Sequence, residues 1–318
     1  MAVVQDVASV PGKVGWLRGV GNWFFNRKAT PIWVLIGLVS LAFWPTYLYW
    51  WTIWFQYQSP FGYGYLVPPC VLFLIWSRRD QIAAVPRESG NLWILVPIVL
   101  AIVLHAAALI ARVNIVSSFS FFVLTMTLPY LIWGKHVYRY IWGALAFSAT
   151  MLPWPPQIYG KLLLPAQEIS TQVAVKMLQW TGLSTVVDGT SVTINNYEFN
   201  VAAACSGLTI VFPIVAIVIM SVMMINAPAW KKVALLGLAI PLSIFSNAVR
   251  IWTIAMIGQY MGAQTADSLH DPSGVAAVIF ATILLTLLMS VMKANDYKDE
   301  YMPAFARDDD VEDEEVTK

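Results

Sequence analysis

The chain has 318 residues, 58% of them hydrophobic and only 12% charged, with a mean hydropathy of +0.66. A soluble domain carries about 25% charged residues, so this sequence lacks the polar surface that a dissolved globule needs. The formal net charge of +1 singles out no partner class, no nucleic-acid partner is expected, and the membrane itself is the first expected partner.

From the N-terminus, residues 1–31 carry Lys13, Arg18, Arg27 and Lys28 and read as a cytoplasmic segment. The apolar stretch that follows, Ile32 to Trp54, exceeds the roughly 7–15 residues of a signal-peptide core and is expected to be a transmembrane helix. Spanning the hydrocarbon takes about 20 apolar residues as helix. On that basis residues 32–153 are expected to hold five spans, near 32–54, 61–77, 92–111, 116–133 and 137–153. Three more are expected in 207–292, near 207–226, 232–258 and 273–292. The expected fold class is therefore an all-α integral membrane protein of about eight transmembrane helices.

Residues 154–206 form the largest segment between spans. Gln157 to Leu183 repeats apolar residues at helical spacing and predicts an amphipathic helix along the outer face. Ser184 to Val201 has β-branched runs around the turn pairs Asp188-Gly189 and Asn195-Asn196, which predict a small hairpin. Residues 293–318 hold ten of the eighteen acidic residues, all between Asp296 and Glu315, and read as a disordered cytoplasmic tail.

Lysine and arginine set the orientation. With the N-terminus inside, fifteen of the nineteen fall in inner segments, among them Arg78, Arg79, Arg87, Lys135, Arg139, Lys231 and Lys232. Only Arg112, Lys161 and Lys176 fall outside, and Arg250 falls within a span. Both termini are thereby expected to be cytoplasmic.

Arg250 is the anomaly. An arginine within a span costs about 2.5–3.5 kcal/mol on insertion scales, so it calls for a partner or a wet cavity. Snorkelling to the outer headgroups is the plain alternative. Asn247, three residues earlier, shares its helix face. Cys205 in A-A-C-S-G-L and His270 in S-L-H-D-P-S-G stand at the expected outer starts of the sixth and eighth spans, the same level as Arg250. A thiol at a helix N-terminus near a guanidinium has a lowered pKa and a populated thiolate, and a neighbouring histidine shuttles protons. Arginine stays protonated, so it serves as an electrostatic support and not as a base. Asp267 and Asp271 flank the histidine as orienting groups or caps, and Ser206 beside the cysteine reads as a cap. Cys70, His105 and His136 are assigned to structure. Neither cysteine lies in a CxxC or zinc-spaced cluster, and no metal or cofactor is expected.

The strings A-C-S-G-L, N-A-V-R-I and H-D-P-S-G, in this order over roughly 187–290, resemble the exosortase/archaeosortase family. The resemblance implies a multi-spanning cysteine transpeptidase of the inner membrane of a bacterium with an exopolysaccharide-rich surface. Such an enzyme recognises C-terminal sorting signals on exported proteins, cleaves them at the outer face and transfers the protein to a surface acceptor. It places the nucleophile on Cys205, the arginine on Arg250 and the histidine on His270. Ala203 and Thr209 stand where many family members have an acidic and a basic residue.

Other function classes make different demands. A transporter would use Arg250 as an anionic-substrate site, with Pro213 and Pro241 as hinges. Metalloprotease and nucleophile-elbow chemistries lack H-E-x-x-H and G-x-S-x-G. A purely structural subunit leaves the intramembrane arginine without a purpose.

Overall fold

The computed structural model describes residues 30–56, 59–188, 191–194, 197–200, 208–298 and 301. The chain divides into two units, residues 1–49 and 50–318. In the first, α1 (Thr30–Ala42) and the start of α2 (Trp44–Trp54) meet at a 59° bend.

The second unit continues through α3 (Val67–Ser77), the short α4 (Arg79–Ala84), α5 (Leu95–Ala111), α6 (Asn114–Phe147) and α7 (Pro156–Trp180). Strands β1 (Thr185–Asp188), β2 (Ser191–Ile194) and β3 (Tyr197–Asn200) precede α8 (Leu208–Met224), α9 (Ala229–Met261) and α10 (Ala263–Val291). Among the described residues four helical stretches, Leu92–Ala111, Asn114–Met151, Ala229–Met261 and Ala263–Val291, are long and apolar enough to cross a membrane. The bent pair at the N-terminus would make five. Two expected spans appear as shorter apolar helices, Gly64–Ser77 and Ile210–Met224. The fourth and fifth expected spans lie within one helical stretch interrupted at Gly134, whose φ of 73° and ψ of −177° are not helical.

Gly134 is needed there for two reasons. That backbone region is essentially confined to glycine, and a Cβ on it would sit 2.2 Å from the Glu88 carbonyl oxygen. Beyond the break, Val137, Ile141 and Leu145 are packed together with Met126 and Trp133 from before it. A straight helix rises about 1.5 Å per residue and would hold Met126 too far from any of the three. The chain therefore turns sharply at Gly134.

Small residues let the last helices approach closely. Ile210, Ile214 and Val218 of α8 pack with Leu235 and Ala239 of α9 and with Ala277, Ala281 and Leu285 of α10. Ser246 of α9 donates 2.6 Å to the Ala277 carbonyl of α10. The helix predicted from Gln157 forms as α7, and its buried face, Ala174, Val175 and Leu178, packs on Ala248, Ile251, Ile254 and Ala255 of α9. The same α7 face carries buried Gln167, Ser170 and Thr171, and Ser170 and Thr171 bond back to carbonyls four residues earlier. Where a small hairpin is predicted, the described residues form a three-stranded antiparallel sheet in the order β1-β2-β3, with Val187 opposite Val192 and Val192 opposite Phe199; Gly189, Asn195 and Asn196 of the predicted turns lie outside the described residues.

The start of the C-terminal tail is ordered, against the expectation for 293–318. Tyr297 bridges to Ile225, the Lys298 amide donates to the Met224 carbonyl and Lys298 Nζ donates to the Met223 carbonyl. Backbone pairing with the α8–α9 turn fixes this stretch, and the acidic run at 308–315 lies outside the described residues.

Candidate functional site

The site is built on the pairing of α9 with α10. Arg250 sits on the buried face of α9 together with Ser243, Ser246, Asn247 and Ile254, and only 6% of it is exposed. It does not snorkel. Its Nε donates 2.9 Å to Ser273 Oγ and its Nη2 donates 3.0 Å to the His270 carbonyl. Nη2 also lies 3.3 Å from His270 Nε2. Among the described residues Nη1 has no hydrogen-bond partner.

A guanidinium has only N–H donors, so the Nη2 contact assigns the lone pair of the imidazole to Nε2. The ring proton then belongs on Nδ1, which faces Asp271 Oδ1 at 3.1 Å. Asp271 and not Asp267 is therefore the carboxylate at the histidine; Asp267 is exposed. His270 does not stand at a helix start, as expected, but two turns into α10, which begins at Ala263 after Gly262 at φ 92°. Pro272 is accommodated inside this helix. The His270 carbonyl two residues before it accepts from both Arg250 and Ser273, the latter at 2.5 Å.

The guanidinium and imidazole line a cavity of about 600 Å3. Gln56, Ser59, Tyr63 and Asp271 contribute polar groups, while Pro213, Ala216, Ile217 and Met220 of α8 and Val275, Val278 and Ile279 of α10 give apolar walls. Along α10 the lining runs from His270 to Ile279, about 13 Å at helical rise. The cavity thus joins the charged and polar groups of Arg250, His270 and Asp271 to apolar walls from α8 and α10. Gly274 floors the arginine: a Cβ there would lie 3.6 Å from Nη2 and 3.7 Å from Cζ. Tyr63 is anchored at the rim by donating its hydroxyl to the Thr150 carbonyl.

The predicted set is brought together in part. Arg250, His270 and Asp271 are joined by hydrogen bonds. Asn247 is 1% exposed, and its carboxamide nitrogen and oxygen have no partner among the described residues. Cys205 and Ser206 lie outside the described residues. Cys70, assigned from sequence to core filling, is half-buried and lines the same cavity as Arg250. His105 bonds Ser117 Oγ at 2.8 Å, and His136 lies 3.9 Å from Glu88. Sequence reasoning missed Ser273, whose one signal was its place three residues after the histidine in H-D-P-S-G. Among the described residues no cluster of three or more histidines, cysteines or acids could hold a metal.

Compared with known proteins, residues 50–289 match the family model described as transmembrane exosortase. No curated protein and no solved structure matches the chain.

Proposed function

Because the chain belongs to the transmembrane exosortase family, a family of protein-sorting membrane enzymes, we propose that it is a cysteine transpeptidase acting on C-terminal sorting signals of exported proteins. The observation that carries this reading is the Arg250–His270 contact, 3.3 Å from Nη2 to Nε2, in the wall of a largely apolar cavity. In this reading the chain crosses the inner membrane eight times with both termini in the cytoplasm. The sharp turn at Gly134 supports counting residues 116–133 and 137–153 as two crossings, and the one-sided distribution of lysine and arginine supports the direction. The outer segment 154–206 then leads into the nucleophile from the external side.

His270 Nε2 takes the proton of the Cys205 thiol as Arg250 Nη2 gives up its contact with Nε2 and keeps its bond to the His270 carbonyl, and the thiolate attacks the scissile carbonyl carbon. A C–S bond forms and the carbonyl oxygen becomes an oxyanion, to which Arg250 Nη1 donates. Collapse breaks the C–N bond, and the imidazolium returns its proton to the departing amine. A nucleophile on the surface acceptor, deprotonated by His270, then attacks the thioester and releases Cys205. Asp271 keeps the ring oriented by accepting from Nδ1. The apolar walls of the cavity remove competing water and strengthen the arginine's field. Asn247, buried without a partner among the described residues, is a second donor for the oxyanion or a support for the cysteine segment.

The test is processing of a co-expressed tagged protein bearing a C-terminal motif, apolar helix and basic end. Cys205→Ala, Arg250→Ala and His270→Ala are expected to lower processing by at least about 100-fold at normal membrane levels, while Cys70→Ala processes like wild type. Loss with Cys70→Ala and retention with Cys205→Ala would move the nucleophile to the cavity wall. A transporter that binds an anion at Arg250 would make the opposite demand, since it would tolerate Cys205→Ser.

A further inference from the structure

The guanidinium of Arg250 has to be aimed, and the hydrogen bonds around it identify what aims it. Ser273 Oγ has one proton and two lone pairs. The proton is committed to the His270 carbonyl at 2.5 Å, so a lone pair is left for Arg250 Nε at 2.9 Å. The same carbonyl accepts from Nη2 at 3.0 Å. Arg250 Nε, Ser273 Oγ, the His270 carbonyl and Nη2 thus close a ring that holds the guanidinium along its Nε–Nη2 edge. Nη1, away from that edge, is left without a partner among the described residues, and Arg250 lines the cavity. A serine inside a helix commonly bonds back to a carbonyl one turn earlier, and such a bond alone would be structural. Here the back-bond polarises and orients a hydroxyl that an ionised side chain from another helix uses.

We propose that Ser273 is the positioning residue of the site, holding Arg250 so that Nη1 is presented to the reacting carbonyl. This rests on the cysteine-transpeptidase reading above. Without the hydroxyl, Nε loses its acceptor and the guanidinium can rotate off the His270 carbonyl. Misplacement of a catalytic group by about 1 Å can cost on the order of 100-fold in rate. Threonine restores the proton and lone pairs at the same atom, and its hydroxyl makes the same helical back-bond.

The experiment compares wild type, Ser273→Ala, Ser273→Thr and Cys205→Ala in purified, membrane-reconstituted protein. Turnover of a tail peptide is followed, together with the rate at which phenylglyoxal modifies Arg250, read by peptide mass spectrometry. Ser273→Ala is expected to lose at least about tenfold in kcat with KM within about twofold. Its Arg250 is expected to be modified several times faster, and Ser273→Thr should return both readings toward wild type. Wild-type kcat together with a wild-type modification rate in Ser273→Ala overturns the inference, as does a threonine variant no better than alanine in either reading. Turnover by Cys205→Ala would overturn the transpeptidase reading instead. The modification rates would still decide whether Ser273 holds the arginine.

Discussion

Arg250 and Gly274 make a pair in which one side chain is placed by the absence of another. The guanidinium lies over Gly274, with a virtual Cβ at 3.6 Å from Nη2 and 3.7 Å from Cζ. Those are ordinary contact distances, so Gly274→Ala is expected to keep processing within about threefold of wild type. Gly274→Leu puts branched carbon into the volume the guanidinium occupies and is expected to abolish processing at normal membrane levels; the tagged-substrate blot reads both. At this scale the arginine was legible in the sequence, because a charge within an apolar span calls for a partner or a wet cavity unless it snorkels, and burial at 6% exposure decides against snorkelling. Ser273 was not, because a serine one turn along a helix is unremarkable until the side chain facing it is known. The choice between Asp267 and Asp271 was likewise open, since spacing offers both and only the helix geometry brings Asp271 to the Nδ1 side of His270.

At the scale of elements, the break at Gly134 organises the middle of the chain. The Gly90 amide donates 3.0 Å to the Leu131 carbonyl, and the Glu88 carbonyl abuts Gly134. Gly134→Ala meets both a backbone region costing about 1–3 kcal/mol for a side chain and a contact of 2.2 Å with Glu88. The variant is expected to accumulate less in the membrane and to melt earlier in detergent; an unchanged melting temperature would mean that the turn is not fixed by this glycine. Hydropathy anticipated the boundary between residues 133 and 137, because Lys135 and His136 interrupt the apolar run there. It could not tell how α7 packs. The buried face of that helix mixes Gln167, Ser170 and Thr171 with Ala174 and Leu178, while Ile158, Leu164, Ile169 and Trp180 are exposed. Packing against α9 overrides the simple expectation of a polar face in water and an apolar face in lipid.

For the whole molecule, the cavity joins parts of the chain that sequence reasoning kept separate. The motif-bearing resemblance covered roughly residues 187–290, whereas the family match begins at residue 50, and Gln56, Ser59, Tyr63 and Cys70 line the cavity with Arg250 and His270. These residues sit at ordinary turn and span positions and carry no motif, so nothing local marked them. The ordered start of the C-terminal tail was also hidden, because its acidic composition gives no hint of the backbone pairing between Tyr297 and Ile225. The central claim is that a thiol in the 201–207 segment works with this arginine and histidine. Its most direct test is to incubate purified protein with a sorting-tail peptide, quench in acid and digest for mass spectrometry. The account predicts the peptide's N-terminal fragment linked as a thioester to Cys205, released by hydroxylamine and absent from Cys205→Ser. Cleaved product from Cys205→Ala, with no adduct on Cys205 in wild type, would contradict it.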